Sequence, residues 1–236
     1  MSGIFTVAGP DSVWIFTDGA GCNPDGSVAW IGSKILLMPE WPGAVATRGV
    51  GALPWMLRLA WASEVSSLDT ALERVVADAL AIGGHLVANG YHDPLNWEIV
   101  LAGWSDQRAA FEVWDVFGRN APDWTEEQCC TAPPLTLRQL KGTTASWPVP
   151  DEAILKSLWP STSGGLTPAE MALPVMEAVR RKTYPMPPSK ENEYHSVGGF
   201  IQETGIGHDG ISSSIIHRWP DVIGERINPF AAEPVR

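Results

Sequence analysis

Residues 12–38 read SVWIFTDGAGCNPDGSVAWIGSKILLM, and their interpretation decides the fold. Val13 to Thr17 is a short apolar run rich in β-formers. Val28 to Met38 repeats that character beyond the turn-prone Cys22-Asn23-Pro24-Asp25-Gly26. The pattern predicts two strands joined as a hairpin-like unit. Pro39 to Pro42 makes a bend, and Gly43 to Gly49 reads as a third strand that ends in the glycines Gly49 and Gly51. Pro54 then suits the first turn of a helix.

Further along, Leu53 to Ala62 and Leu68 to Leu86 have helical spacing. Leu72, Val75, Val76, Ala79 and Leu80 form one stripe, with Ser67 or Asp69 as cap and Gly83-Gly84 weakening the end. Glu98 to Trp104 and Ala110 to Val116 predict a second strand pair. From Gly118 to Gly165 the text is Pro-rich and poorly periodic, and reads as long loops with one helix at Asp151 to Leu158. Thr167-Pro168-Ala169-Glu170 is a helix start with a capping box, for a helix running to Thr183. Val197 to Thr204 and Ile211 to Ile216 close the chain as a last strand pair, followed by a Pro-bearing tail over 218–236. Strands, two helices, strands, helix, strands is the order of one α+β domain over 1–236, without βαβ alternation.

Composition limits the function classes. Against 27 Asp plus Glu stand 16 Lys plus Arg, a net charge of −11, which argues against nucleic-acid or anionic-membrane surfaces as partners. No apolar run approaches the ~18 residues of a membrane span. The first residues lack a basic n-region and an apolar h-region, so no secretory signal is expected and the mature start lies near Met1. Three Cys, two of them adjacent at Cys129 and Cys130, form neither a disulfide framework nor a CxxC knuckle and read as reduced cytoplasmic thiols. Trp14, Trp30, Trp104, Trp114, Trp55 and Trp61 fall in predicted elements as packing residues. Trp41, Trp124, Trp147 and Trp159 lie among prolines and read as interface anchors.

Three positions stand at equal intervals. With Met1 removed, Ser2 is the first residue, Asp18 follows sixteen on and Lys34 sixteen further, with no gap. Gly9 and Asp11 stand at a turn between, Gly103-Trp104-Ser105-Asp106 marks a strand end, and Gly198-Gly199-Phe200 leads to an Asp209-Gly210 turn. In spacing and order these residues resemble the proteasome β-subunit branch of the N-terminal nucleophile hydrolases. There the chain begins with Thr and carries Asp and Lys at those two intervals. The likeness covers residues 2–117 and 166–217. It departs in having Ser at the start, Ser12 for a turn Gly, and Val197 where the family has the Ser of Ser-Gly-Gly.

The resemblance implies a four-layer αββα sandwich and cleavage of amide or peptide bonds. Ser2 is then nucleophile, with its own α-amine as base, whose ordinary pKa of about 8 leaves a neutral fraction near pH 7. Lys34 sits on an adjacent strand beside the Ser2 oxygen, Asp18 orients Lys34, and the Gly49 N–H faces the oxyanion. The resemblance implies no cofactor and a homo-oligomer or larger protein assembly. A catalytically silent assembly subunit is the alternative from another class. Without the resemblance, Asp18 and Lys34 read as an ion pair between strands and Gly49 as a turn glycine.

Ile15 to Pro24 is also similar to the opening strand of ribonuclease H, where the Asp ligates a metal ion, with Asp106 as a second carboxylate. The acidic residue needed on the next helix is missing, because Pro54 to Ala62 contains no Asp or Glu. Trp219-Pro220-Asp221 reads as a buried Trp followed by a turn, and His195 and His208 as solvated turn residues.

Overall fold

The computed structural model describes residues 2–118, 133–146, 152–158, 165–185 and 193–230. In chain order the first half contains β1 (Ile4–Ala8), β2 (Ser12–Asp18), β3 (Ala20–Cys22), β4 (Val28–Ile31), β5 (Ile35–Met38), β6 (Gly43–Gly49), α1 (Leu53–Trp61) and α2 (Leu68–Ala88). Then come β7 (Trp97–Ser105), β8 (Ala110–Phe117), β9 (Arg138–Leu140), β10 (Gly142–Ser146), α3 (Glu152–Leu158) and α4 (Pro168–Arg180). The described chain closes with β11 (Tyr184–Pro185), β12 (Glu193–Tyr194), β13 (Phe200–Gly207) and β14 (Gly210–Arg218). These elements make a mixed α+β fold of antiparallel sheets. One five-stranded sheet has the order β10-β1-β2-β13-β14 and the other β5-β6-β7-β8-β9, while β3 and β4 form a separate ribbon.

Burial on both faces explains why β2 is central. Val13 and Ile15 face a cluster shared with Ala44, Ala46, Val100 and Ala102 of the second sheet. Phe16 faces the opposite way, toward Met176 and Val179 of α4. A strand apolar on both sides needs neighbours at both edges, and β2 has β1 and β13. The predicted hairpin of β2 with Val28 to Met38 is therefore replaced. The chain turns at Gly19 into the β3–β4 ribbon, and the second run splits at Gly32-Ser33-Lys34. There the Ser33 hydroxyl accepts from the Ile35 N–H at 3.2 Å and donates to the Ile35 carbonyl at 2.7 Å. Such local bonds compete with a strand ladder. Lys34 thus lies in a connector, not on a strand.

Helices α1 and α2 cover the other face of the second sheet through Leu53, Leu57 and Trp61, and through Leu68, Leu72, Val75 and Ala79. The Ser67 hydroxyl caps α2 by accepting from the Thr70 N–H at 3.1 Å. The Gly83-Gly84 pair does not end α2, which runs on to Ala88. At Gly83 a Cβ would sit 3.3 Å from the Pro94 carbonyl, so that glycine serves close packing. The capping box of α4 forms as expected, with Thr167 and Glu170 bonded reciprocally.

Further sequence expectations change. β1 goes unread, and part of the segment expected to be loops contributes β9 and β10, both sheet edges, while α3 falls within the expected helix. Trp41 is buried at 3% exposure, its ring laid against Gly43 and Gly103, so it is no interface anchor. Trp30 and Trp55, both expected to pack, are 41% and 57% exposed. Trp124, Trp147 and Trp159 lie outside the described residues, as do Cys129 and Cys130.

The Asp69 carboxylate in the first turn of α2 accepts from the Ser105 hydroxyl (2.8 Å), the Gln107 N–H (3.1 Å) and Arg108 (2.8 Å), tying the β7–β8 turn to the helix. Burial alone would raise its pKa, but these donors outweigh burial and hold the carboxyl below the usual range. A depressed acid stabilises the fold above its unfolded pKa, and that contribution disappears as pH falls through the folded value. Asp69→Ala should therefore cost about 2 kcal/mol at pH 7 in urea unfolding. The difference from wild type should shrink below about pH 4. A deficit independent of pH would contradict this.

Candidate active site

Asp18 ends β2 and is wholly buried. An isolated carboxylate there would be costly, and the chain surrounds it with donors. Its Oδ1 accepts the Gly3 N–H at 3.0 Å and the Lys34 ammonium at 2.7 Å. Its Oδ2 accepts the N–H groups of Ala20 and Gly198, both at 3.1 Å. Four segments thus converge on one side chain: the strand beginning at Ile4, the ribbon, the Gly32-Ser33-Lys34 connector and the turn before β13. Lys34 also donates to the Ala20 carbonyl, and only 5% of its side chain is exposed.

Ser2, Lys34 and Gly49 line a single cleft of about 550 Å³. Ser2 is 7% exposed. Gly49 has φ +93°, and a Cβ there would lie 1.8 Å from the Asn96 carbonyl oxygen, so only glycine fits this end of β6. Trp30 lies flat across the ribbon, because a Cβ at Gly21 would meet its indole at 2.2 Å. The ring forms one wall of the cleft, and Trp55 of α1 contributes another part of the lining. Among the described residues Lys34 is the only charged side chain on that lining, and it is already paired with Asp18.

A second nucleophile type, Cys22, also lines the cleft. Burial pushes its thiol pKa up, which keeps it protonated, and a protonated thiol is a poor nucleophile.

All four site residues read from the sequence therefore meet at one place, with Asp18 beneath the cleft and the other three on its lining. The bare ion-pair reading of Asp18 and Lys34 is met as well, and the cleft adds what a pair alone lacks. Sequence reasoning missed Cys22, Trp30 and Trp55 as lining residues, because adjacency across the ribbon and α1 has no linear signature. Asp106 is exposed and accepts the Trp104 indole N–H, and the four donors on Asp18 occupy its lone pairs. Among the described residues no group of three or more His, Cys, Asp or Glu is placed to hold a metal ion. His208 packs on Trp104 and Phe111, not in the cleft. Comparison with known proteins returns no match, either to a family model or to a curated protein.

Removing one partner of a buried pair leaves an uncompensated charge. Lys34→Met should destabilise the chain by about 4 kcal/mol, while the double variant Asp18→Asn/Lys34→Met should recover part of that loss. Urea titration of the three proteins checks this, and a double variant less stable than Lys34→Met would refute the coupling.

Proposed function

We propose that this chain is an amide-bond hydrolase of the N-terminal nucleophile type, a four-layer αββα sandwich in which Ser2 attacks once Met1 has been removed. The observation that carries the reading is the buried Lys34–Asp18 pair beneath a cleft lined by Ser2, Lys34 and Gly49. The packing of α1 and α2 on one sheet, α4 on the other, and an apolar cluster between the sheets supports the four layers.

In this reading the neutral α-amine of Ser2 takes the hydroxyl proton as Oγ bonds to the substrate carbonyl carbon. The Lys34 ammonium steadies the developing alkoxide. The carbonyl oxygen, now negative, faces the Gly49 N–H, a type of contact worth about 3 kcal/mol per donor. Collapse of the tetrahedral adduct breaks the C–N bond, and the α-ammonium delivers its proton to the leaving amine. Water, deprotonated by the same amine, then attacks the ester, releases the acid and restores Ser2. The near-neutral, tryptophan-walled cleft favours an uncharged apolar residue on the acyl side. No cofactor is needed for these steps. A cytoplasmic, self-assembling particle fits the resemblance, with Trp55 and Leu59 exposed on α1 as contact residues.

The second reading, a silent assembly subunit, is favoured by Val197, which fills the position of a supporting Ser and is packed in the core. A peptide epoxyketone with an apolar residue beside the ketone separates the two, since it captures the hydroxyl and amine of one N-terminal residue together. The active reading expects a mature mass lacking Met1, labelling on Ser2, none in Ser2→Ala, and a rate about 100-fold lower in Lys34→Met. Retention of Met1 in the native host would leave the assembly reading standing, and undiminished labelling of Ser2→Ala would sink the assignment of Ser2 as nucleophile.

A further inference from the structure

Behind Asp18 stands a second buried carboxylate that the chemistry above does not use. Asp221 receives a bidentate grip from Arg180, Nη1 at 2.7 Å and Nη2 at 2.8 Å, and both side chains are nearly inaccessible, at 2% and 4% exposure. Arg180 ends α4, and its guanidinium also lies over Trp219, 4.7 Å from the ring centroid. A buried ion pair contributes little net stability in itself, so its placement asks for another role.

That placement is specific. The N–H groups of two consecutive residues point to different carboxylates: Gly198 to Asp18 at 3.1 Å, Gly199 to Asp221 at 2.7 Å. Arg180 Nη1 also donates to the Val197 carbonyl at 2.9 Å. The Gly198 carbonyl accepts the N–H groups of both Gly19 and Ala20 at 2.9 Å. The turn therefore grips Asp18 and the corner that follows it. Gly199 has φ +77°, and a Cβ on Gly198 would lie 2.4 Å from Asp221 Oδ2, so the backbone packs directly on the pair.

The chain after Asp221 continues the same hold. Gly224 donates to the Val28 carbonyl and Glu225 accepts from the Val28 N–H, both at 2.8 Å, and Ile227 is buried with Ala20 and Val28. This strap clasps the ribbon that carries Trp30 and the Ala20 carbonyl, a partner of Lys34.

We propose that Asp221, fixed by Arg180, is a positioning residue for the Ser2 site, acting on Asp18 and Lys34 through the Gly198-Gly199 turn. The geometry stands by itself, and the catalytic consequence rests on the Ser2 reading. Asp221 touches no reacting atom in that scheme. It sets the N–H that Asp18 accepts, Asp18 sets Lys34, and Lys34 shares the cleft lining with Ser2.

Two readouts test this in the full chain. Hydrogen exchange followed by mass spectrometry should show the amides of Gly19, Ala20, Gly198 and Gly199 exchanging at least tenfold faster in Asp221→Asn. Inactivation by the peptide epoxyketone should show a maximal rate reduced about tenfold with the half-saturating concentration unchanged. Leu57→Ala, a cavity variant in the α1–α2 cluster, supplies the comparison for general destabilisation and should change neither. Should Asp221→Asn fail to fold, Arg180→Lys serves instead, since it keeps the charge and loses the fork. Exchange at those four amides no faster than in Leu57→Ala overturns the proposal. So does an unaltered maximal rate in a variant made from a wild type that labels. If wild type never labels while the four amides accelerate, the coupling holds and the Ser2 reading falls.

Discussion

The buried carboxylate of Asp18 is the constraint around which the site is arranged. A charge without solvent must be met by donors, and Asp18 is met by Gly3, Ala20, Lys34 and Gly198. Each donor belongs to a different stretch of chain, so satisfying one side chain brings four segments into register. The Asp18 N–H returns the contact to the Gly3 carbonyl at 3.3 Å, which places Ser2 beside the cleft. Lys34, with its ammonium divided between Asp18 and the Ala20 carbonyl, has one orientation open to it. Electrostatic necessity and placement of the candidate site residues are here the same set of contacts.

Glycines shape the cleft where carboxylates cannot. Gly21 lets the Trp30 indole lie against the ribbon backbone, and Gly49 lets β6 pass under the Asn96 carbonyl. At Gly49 a methyl group would collide with a peptide oxygen that cannot move aside, and at Gly21 it would displace the half-exposed Trp30 indole. A flat aromatic wall and a backbone-lined end then face each other across a space of side-chain size.

How much of this was legible follows from where the information lies. The intervals from Ser2 to Asp18 and from Asp18 to Lys34 are local spacings on a strand, a ribbon and a connector, and they survive as a linear pattern. The α2 stripe and the Thr167 capping box are equally local, and both were read. Strand β10 was not, because Gly142-Thr143-Thr144-Ala145-Ser146 has no apolar alternation, and an edge strand needs little. Its place is set by pairing with β1, a contact across more than 130 residues. Lys34 was expected on a strand because Val28 to Met38 was read as one β-rich run across Gly32-Ser33-Lys34, and the Ser33 hydroxyl bonds to Ile35 mark the break.

The Arg180–Asp221 pair was the hardest to read, and the reason is physical. Trp219-Pro220-Asp221 looks like a turn because it is one, and nothing local says that its carboxylate is buried. Burial arises only once α4 delivers Arg180 and the Gly198-Gly199 turn delivers an amide. The candidate site residues thus lie before Val50, while part of what holds them comes from the last fifth of the chain. A tail that reads as an appendage is continuous, through two peptide N–H groups, with the carboxylate that orients Lys34. The segment around Asp221 thus packs onto the same turn that donates to Asp18, although every candidate site residue lies before Val50.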